Sequence, residues 1–118
     1  MSVRCLIVDD SRRFLDAARG RLERQGLLVV GVASNGSEAV QLAQELKPDV
    51  TLLDIDLGSE NGFEVARRLQ VHDPSPVILI STHAEQDYRD LIAASSALGF
   101  LPKADLSAAG ILELLGSG

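Results

Sequence analysis

The sequence predicts a doubly wound α/β fold, an open parallel sheet of five strands with helices on both faces. Two observations carry that expectation. Five short runs rich in Val, Leu and Ile recur along the 118 residues, each too short for a helix and each closed by polar, Gly or Pro residues. Between them lie segments whose apolar residues recur at three- and four-residue spacing, the period of a helix with one buried face. Regular alternation of strand and helix implies parallel pairing through crossover helices.

The elements follow in order. Val3 to Val8, apolar apart from Arg4, reads as the first strand and ends in Asp9-Asp10. Ser11 can cap a helix carrying Phe14, Ala18 and Leu22, which Gly26 stops. Leu27 to Ala33 is the second strand, and Asn35-Gly36 a turn. Ser37 and Glu38 open a second helix with Ala39, Ala43 and Leu46 on one face, ended by Pro48. Val50 to Asp54 is the third strand, and Leu57 to Gly62 a loop. Phe63, Ala66 and Leu69 mark a third helix closed by Asp73-Pro74. Val77 to Ile80 is the fourth strand, followed by Ser81-Thr82-His83. Tyr88, Leu91, Ile92 and Ser95 give a fourth helix, and Gly99-Phe100-Leu101 a short fifth strand before Pro102-Lys103. Ser107 can cap a last helix carrying Ala108, Ile111, Leu112 and Leu115, with Gly116 at its end.

Composition bounds the function. The length suits one domain, residues 1–118, able to form a core without disulfides or a metal staple. A net charge of −6 without a basic tail argues against direct nucleic-acid binding. The lone cysteine, Cys5, lies in an apolar run and reads as a reduced core residue of a cytosolic protein. Two acidic residues by position 10 argue against a signal peptide. No apolar run approaches the roughly 20 residues that a membrane span needs, so a cytoplasmic protein is expected.

The chemistry gathers around Asp49-Val50-Thr51-Leu52-Leu53-Asp54-Ile55-Asp56, a largely apolar run that carries Asp54 at the strand end. Burying a charge there is costly unless it is paired or binds a metal. Open α/β sheets place their sites beyond the carboxyl ends of the strands. That edge receives Asp9 and Asp10, then Asp54, then Ser81 and Thr82, then Lys103. Clustered carboxylates repel and raise one another's proton affinity, which a hard dication relieves; oxygen ligands in small number suit Mg²⁺. A carboxylate beside Mg²⁺ and a lysine can act as a nucleophile toward a phosphoryl group. A neighbouring hydroxyl can donate a hydrogen bond to the product.

These residues make the chain resemble the receiver domain of two-component response regulators over nearly its whole length. The match rests on Asp9-Asp10, on Asp54 with Gly62 eight positions on, on the hydroxyl after the fourth strand, and on Gly99-Phe100-Leu101-Pro102-Lys103. The resemblance implies a flavodoxin-like, CheY-like (βα)5 fold with strand order 2-1-3-4-5. It implies that Asp54 takes a phosphoryl group from a histidine kinase or phosphotransfer protein. Asp10 would ligate Mg²⁺ directly, Asp9 mainly through water, Asp56 through its backbone carbonyl, and Asp54 would complete the metal set. Ser81 is the implied switch hydroxyl, with Thr82 the alternative. Lys103 would pair with the phosphoryl group, and Phe100 matches an aromatic switch position. Asp56 and His83 stand where the family tunes loss of the phosphoryl group. The output face would be the fourth helix, fifth strand and fifth helix (α4-β5-α5), which could also pair two copies. The chain would be a signalling switch, catalysing only its own phosphorylation and dephosphorylation.

Three departures stand out. Gly58 replaces a usual proline, so a more mobile loop is expected there. Ala104 follows Lys103 where proline is common, which disfavours a cis peptide by about 2.5–4 kcal/mol. Ser81 keeps the hydroxyl of the commoner threonine without its methyl. Plainer readings remain beside the functional ones: a solvated helix start for Asp9-Asp10, a surface role for Lys103, simple packing for Phe100 and Tyr88, a solvated helix end for His72, and a plain loop histidine for His83. Two rival functions are a phosphorylation-independent docking or dimerisation module, and a haloacid-dehalogenase-like phosphatase suggested by Asp54-Ile55-Asp56. The second leaves Asp9-Asp10 unexplained. Residues 102–107 also look like receivers that often precede a LuxR-type DNA-binding domain, so both a stand-alone receiver and part of a longer regulator remain open.

Overall fold

The computed structural model describes residues 2–117. Its five principal strands are β1 (Arg4–Val8), β2 (Leu28–Ala33), β3 (Val50–Asp54), β4 (Val77–Ser81) and β5 (Gly99–Pro102). They alternate with α1 (Arg12–Arg24), α2 (Gly36–Leu46), α3 (Gly62–His72), α4 (Arg89–Ala94) and α5 (Ala108–Ser117). All strand pairs of the main sheet are parallel, in the order β2-β1-β3-β4-β5. This is the expected 2-1-3-4-5 order.

Alternation along each strand divides the core in two. Cys5, Ile7, Val50, Leu52, Ile78 and Ile80 pack on one face with Leu15, Ala18 and Leu22 of α1 and Ile111 of α5. Leu6, Val8, Leu53, Leu79 and Phe100 pack on the other with Ala39 and Ala43 of α2 and Val65, Ala66 and Leu69 of α3. Burial on both sides explains why the central strands read as continuous apolar runs rather than alternating ones. Cys5 is fully buried, and desolvation pushes its thiol up to about 12, so it is an inert packing group.

Local chemistry sets the helix ends. The side chains of Ser11, Asn35 and Asn61 accept from the first-turn amides of Phe14, Glu38 and Phe63. Ser107 likewise accepts from Gly110 at 3.0 Å.

Several segments differ from expectation. The Leu57–Gly62 loop contains a small antiparallel hairpin, Asp56–Leu57 against Glu60–Asn61. Gly58 at its tip has φ 64°, a conformation closed to the proline it replaces. Glu60 anchors this hairpin by accepting from the Gly36 amide at 2.8 Å and lying 3.5 Å from Arg68. The expected fourth helix divides into a 3₁₀ turn, Glu85–Tyr88, and the short α4. It stops at Ser95 because that side chain bonds its own backbone, donating to the Ile92 carbonyl and accepting from the Ala97 amide. On α5, Leu112 points outward at 47% exposure, and the helix runs through Gly116 to Ser117. Finally, β4 and β5 each run one residue further than expected, ending at Ser81 and Pro102, which pair.

Gly62 positions the site from below. Its amide donates to the Ile55 carbonyl at 2.7 Å, and a Cβ at this position would meet the Asp54 carbonyl and come within 2.6 Å of Ile55 Cα. Both obstacles are backbone. Replacing Gly62 by alanine is therefore expected to destabilise the protein by about 2 kcal/mol, read as a lower denaturant midpoint with unchanged slope; an unchanged midpoint would contradict the close approach.

Candidate functional site

Strand register assembles the site. Val8 of β1 lies opposite Leu53 of β3, so Asp9 follows at the level of Asp54. Asp54 lies opposite Ile80, so Ser81 stands one step beyond it, and Ser81 pairs with Pro102, the residue before Lys103. Four strand ends thus deliver two carboxylates, a hydroxyl and an ammonium to one edge.

The carboxylates are unequal. Asp9 is fully buried and Asp54 is 4% exposed, whereas Asp10 faces solvent. One ligand atom from each lies within 4.8 Å of the others. Lys103 Nζ lies 2.6 Å from Asp9 Oδ2 and 3.2 Å from Asp54 Oδ2. The second contact is a hydrogen bond. The first is a close ion pair, which gives the buried Asp9 Oδ2 its charge partner. Asp9 Oδ1 accepts from the Ser11 amide at 2.8 Å, and Asp54 Oδ1 from the Asp56 amide at 3.2 Å.

Burial pushes the Asp54 carboxyl up, the charge of Asp9 pushes it further, and Lys103 and the Asp56 amide pull back; the result is about 6. Burial pulls the Lys103 ammonium down, but contact with Asp9 and the charges of Asp54 and Asp9 outweigh it and hold the lysine above its ordinary value. Three crowded carboxylates, two of them buried, form an oxygen-only donor set that fits a hard divalent cation.

The remaining expected residues fall around this centre. Ser81 is fully buried, and its Oγ accepts from the His83 amide at 3.0 Å. Thr82 is exposed and lines a groove with Phe14, Lys103 and Ala104. Asp56 and His83 are exposed at the rim, with Asp56 Oδ2 4.0 Å from His83 Nδ1. Phe100 is buried below the site. His72 is exposed at the end of α3, away from these groups.

Two contacts were not read from the sequence. The Lys103 ammonium sits 4.4 Å from the centre of the Phe14 ring, and the Tyr88 hydroxyl lies 3.4 Å from Asp56 Oδ2. Phe14 registered only as a helix-face residue. Tyr88 ends a 3₁₀ turn whose direction no periodicity gives.

Comparisons agree with this geometry. A family model described as the response regulator receiver domain matches residues 5–112. A protein-glutamate methylesterase/protein-glutamine glutaminase of Alkalilimnicola ehrlichii is 38% identical over 91% of this chain, which spans 29% of that relative. The chain therefore covers about three-tenths of the length of the curated relatives it matches. The signal receiver domain of a modulated diguanylate cyclase from Desulfovibrio desulfuricans aligns with TM-score 0.82 and 32% identity, covering 99% of this chain and 93% of that one. A response regulator from Burkholderia pseudomallei, solved with a phosphorylated aspartic acid, calcium ion and citrate, aligns with TM-score 0.82 at 25% identity, covering 97% and 66%. The chain belongs to the response regulator receiver domain family. It is a CheY-like receiver, and the phosphatase reading of Asp54-Ile55-Asp56 falls with that assignment.

The raised Asp54 pKa has a consequence for stability. Folding is unaffected where the carboxyl is protonated in both states, below the unfolded value of 3.8. The charged form opposes folding as pH rises from there through about 6. Asp54→Asn should therefore raise stability at pH 7 by on the order of 2 kcal/mol in metal-free buffer, and the gain should vanish below pH 4. Denaturant melts at both pH values check this; a destabilised variant at pH 7 would contradict it.

Proposed function

We propose that this receiver takes a phosphoryl group on Asp54 from a histidine kinase or phosphotransfer protein and signals through a change of surface shape. The observation that carries the reading is Asp54 itself, a buried carboxylate with Lys103 on one oxygen and the carboxylates of Asp9 and Asp10 beside it. An Asp54 oxygen attacks the donor phosphorus, the donor P–N bond breaks, and an acyl phosphate forms. Asp9, Asp10 and Asp54, with the Asp56 backbone carbonyl, would hold Mg²⁺, which supplies neutralising charge to the phosphoryl oxygens. Lys103 turns from the two carboxylates toward the new phosphoryl group.

Ser81 rather than Thr82 serves as the switch hydroxyl. Its oxygen accepts the His83 amide, and its own proton can be donated to a phosphoryl oxygen. Phe100 shares one apolar cluster with Tyr88 and Ile92, so its rearrangement would alter the α4-β5-α5 face. Leu91 and Leu112, 53% and 47% exposed, give that face apolar character for docking or for pairing two copies. Asp56 and His83 flank the mouth and tune phosphoryl loss.

The domain acts as a switch in residues 1–118, without direct nucleic-acid binding, in the cytoplasm. Among the described residues no helix is long and apolar enough to cross a membrane. Similar receivers occur in a methylesterase/glutaminase and in a diguanylate cyclase, so a longer protein carrying this chain could itself be an enzyme.

Incubation with acetyl phosphate and Mg²⁺, followed by intact mass measurement, tests the reading. One added phosphoryl mass is expected in the wild type and none in Asp54→Asn or without Mg²⁺. A retained adduct in Asp54→Asn would overturn Asp54 as acceptor. Absence of both an adduct and beryllofluoride binding would favour a phosphorylation-independent module.

A further inference from the structure

The hydroxyl of Tyr88 has no part in the chemistry above, yet it touches both loops that border the phosphoacceptor. Tyr88 ends the 3₁₀ turn before α4, half-buried, with its ring 6.2 Å from that of Phe63 and edge-on to His83 at 6.0 Å. Its hydroxyl lies 3.4 Å from Asp56 Oδ2 and 3.4 Å from His83 Nδ1. Burial and the negative charge of Asp56 raise its pKa against an opposing hydrogen bond from Ser81, so it stays protonated. The backbone of each partner bonds a site residue: the Asp56 amide donates to Asp54, and the His83 amide to Ser81. One hydroxyl therefore ties the loop after β3 to the loop after β4.

We infer that Tyr88 is a positioning residue that sets the lifetime of the phosphoryl group by latching Asp56 and His83 together across the mouth of the site. This rests on Asp54 being the phosphoacceptor. Hydrolysis needs a water oxygen to attack phosphorus opposite the Asp54 Oδ–P bond. That bond then breaks, its electron pair returns to the Asp54 carboxylate, and a water proton passes to solvent as inorganic phosphate leaves. Asp56 and His83 are exposed side chains beside that approach. Held by one hydroxyl they keep a single arrangement that limits entry of water. Freed, they move apart on the timescale of exposed rotamers and the approach opens. Each contact is long, so the effect falls on a rate rather than on the fold.

The test follows the decay of the acetyl-phosphate-generated adduct by intact mass after removal of the donor. Tyr88→Phe keeps the ring against Phe63 and removes only the hydroxyl; it should shorten the lifetime roughly threefold to tenfold. In an Asp56→Ala background the same change should have no further effect, because the carboxylate it latches is gone. Equal lifetimes for wild type and Tyr88→Phe, or an equal acceleration in both backgrounds, would overturn the latch. Acceleration by Tyr88→Leu but not by Tyr88→Phe would assign the effect to ring packing and overturn it too. If Tyr88→Phe proves unstable, His83→Ala removes the second partner outside the apolar core, and an unchanged lifetime there would also sink the proposal. An absence of any adduct on the wild-type protein would instead fail the phosphoacceptor reading itself, and the latch with it.

Discussion

Repulsion among Asp9, Asp10 and Asp54 is the constraint on which this structure turns. Three carboxylates have ligand atoms within 4.8 Å of one another, and one of them, Asp9, is removed from water altogether. Two unit charges about 4 Å apart near a protein surface repel by about 4 kcal/mol. Lys103 meets two of the three, yet Asp54 remains pushed up to about 6, burial and Asp9 together outweighing the lysine. The site is therefore a local liability that the rest of the fold must hold in place. It is also chemically poised, because it presents oxygen donors short of positive charge.

The scaffold supplies that holding force from its two apolar layers. Central strands buried on both faces fix the register, and register fixes which residues reach the edge. Short devices beyond the strand ends then aim them. Gly62 lets the start of α3 press against the Asp54 backbone, Glu60 pins the small hairpin to the first turn of α2, and the Ser11 amide holds one oxygen of Asp9. Phe14 adds an aromatic face beneath the Lys103 ammonium, a favourable partner for a cation. Rigid strands and adjustable loop contacts thus meet at one edge, an arrangement suited to a switch.

Most of this was legible in the sequence, for identifiable reasons. The strands announced themselves as continuous apolar runs because both faces are covered, and their polar ends named Asp9, Asp54, Ser81 and Lys103 directly. Of the two hydroxyls after the fourth apolar run, Ser81 is buried and Thr82 exposed. What stayed hidden depends on geometry rather than pattern. The hairpin around Gly58 arises from one positive φ and from the bond of Glu60 to Gly36, 24 positions away. The 3₁₀ turn before α4 breaks helical periodicity, so neither the short α4 nor the direction of Tyr88 could be read. The loop around Gly58 carries ladder pairing of Asp56 with Asn61 and Leu57 with Glu60.

The most direct measurement of the central claim is stability as a function of Mg²⁺. If the three carboxylates form a charge-starved cation site, the denaturant midpoint at pH 7 should rise steadily with Mg²⁺ concentration. The rise should disappear in Asp10→Asn, which removes one oxygen ligand and one charge. A midpoint indifferent to Mg²⁺, or an equal rise in Asp10→Asn, would contradict the account.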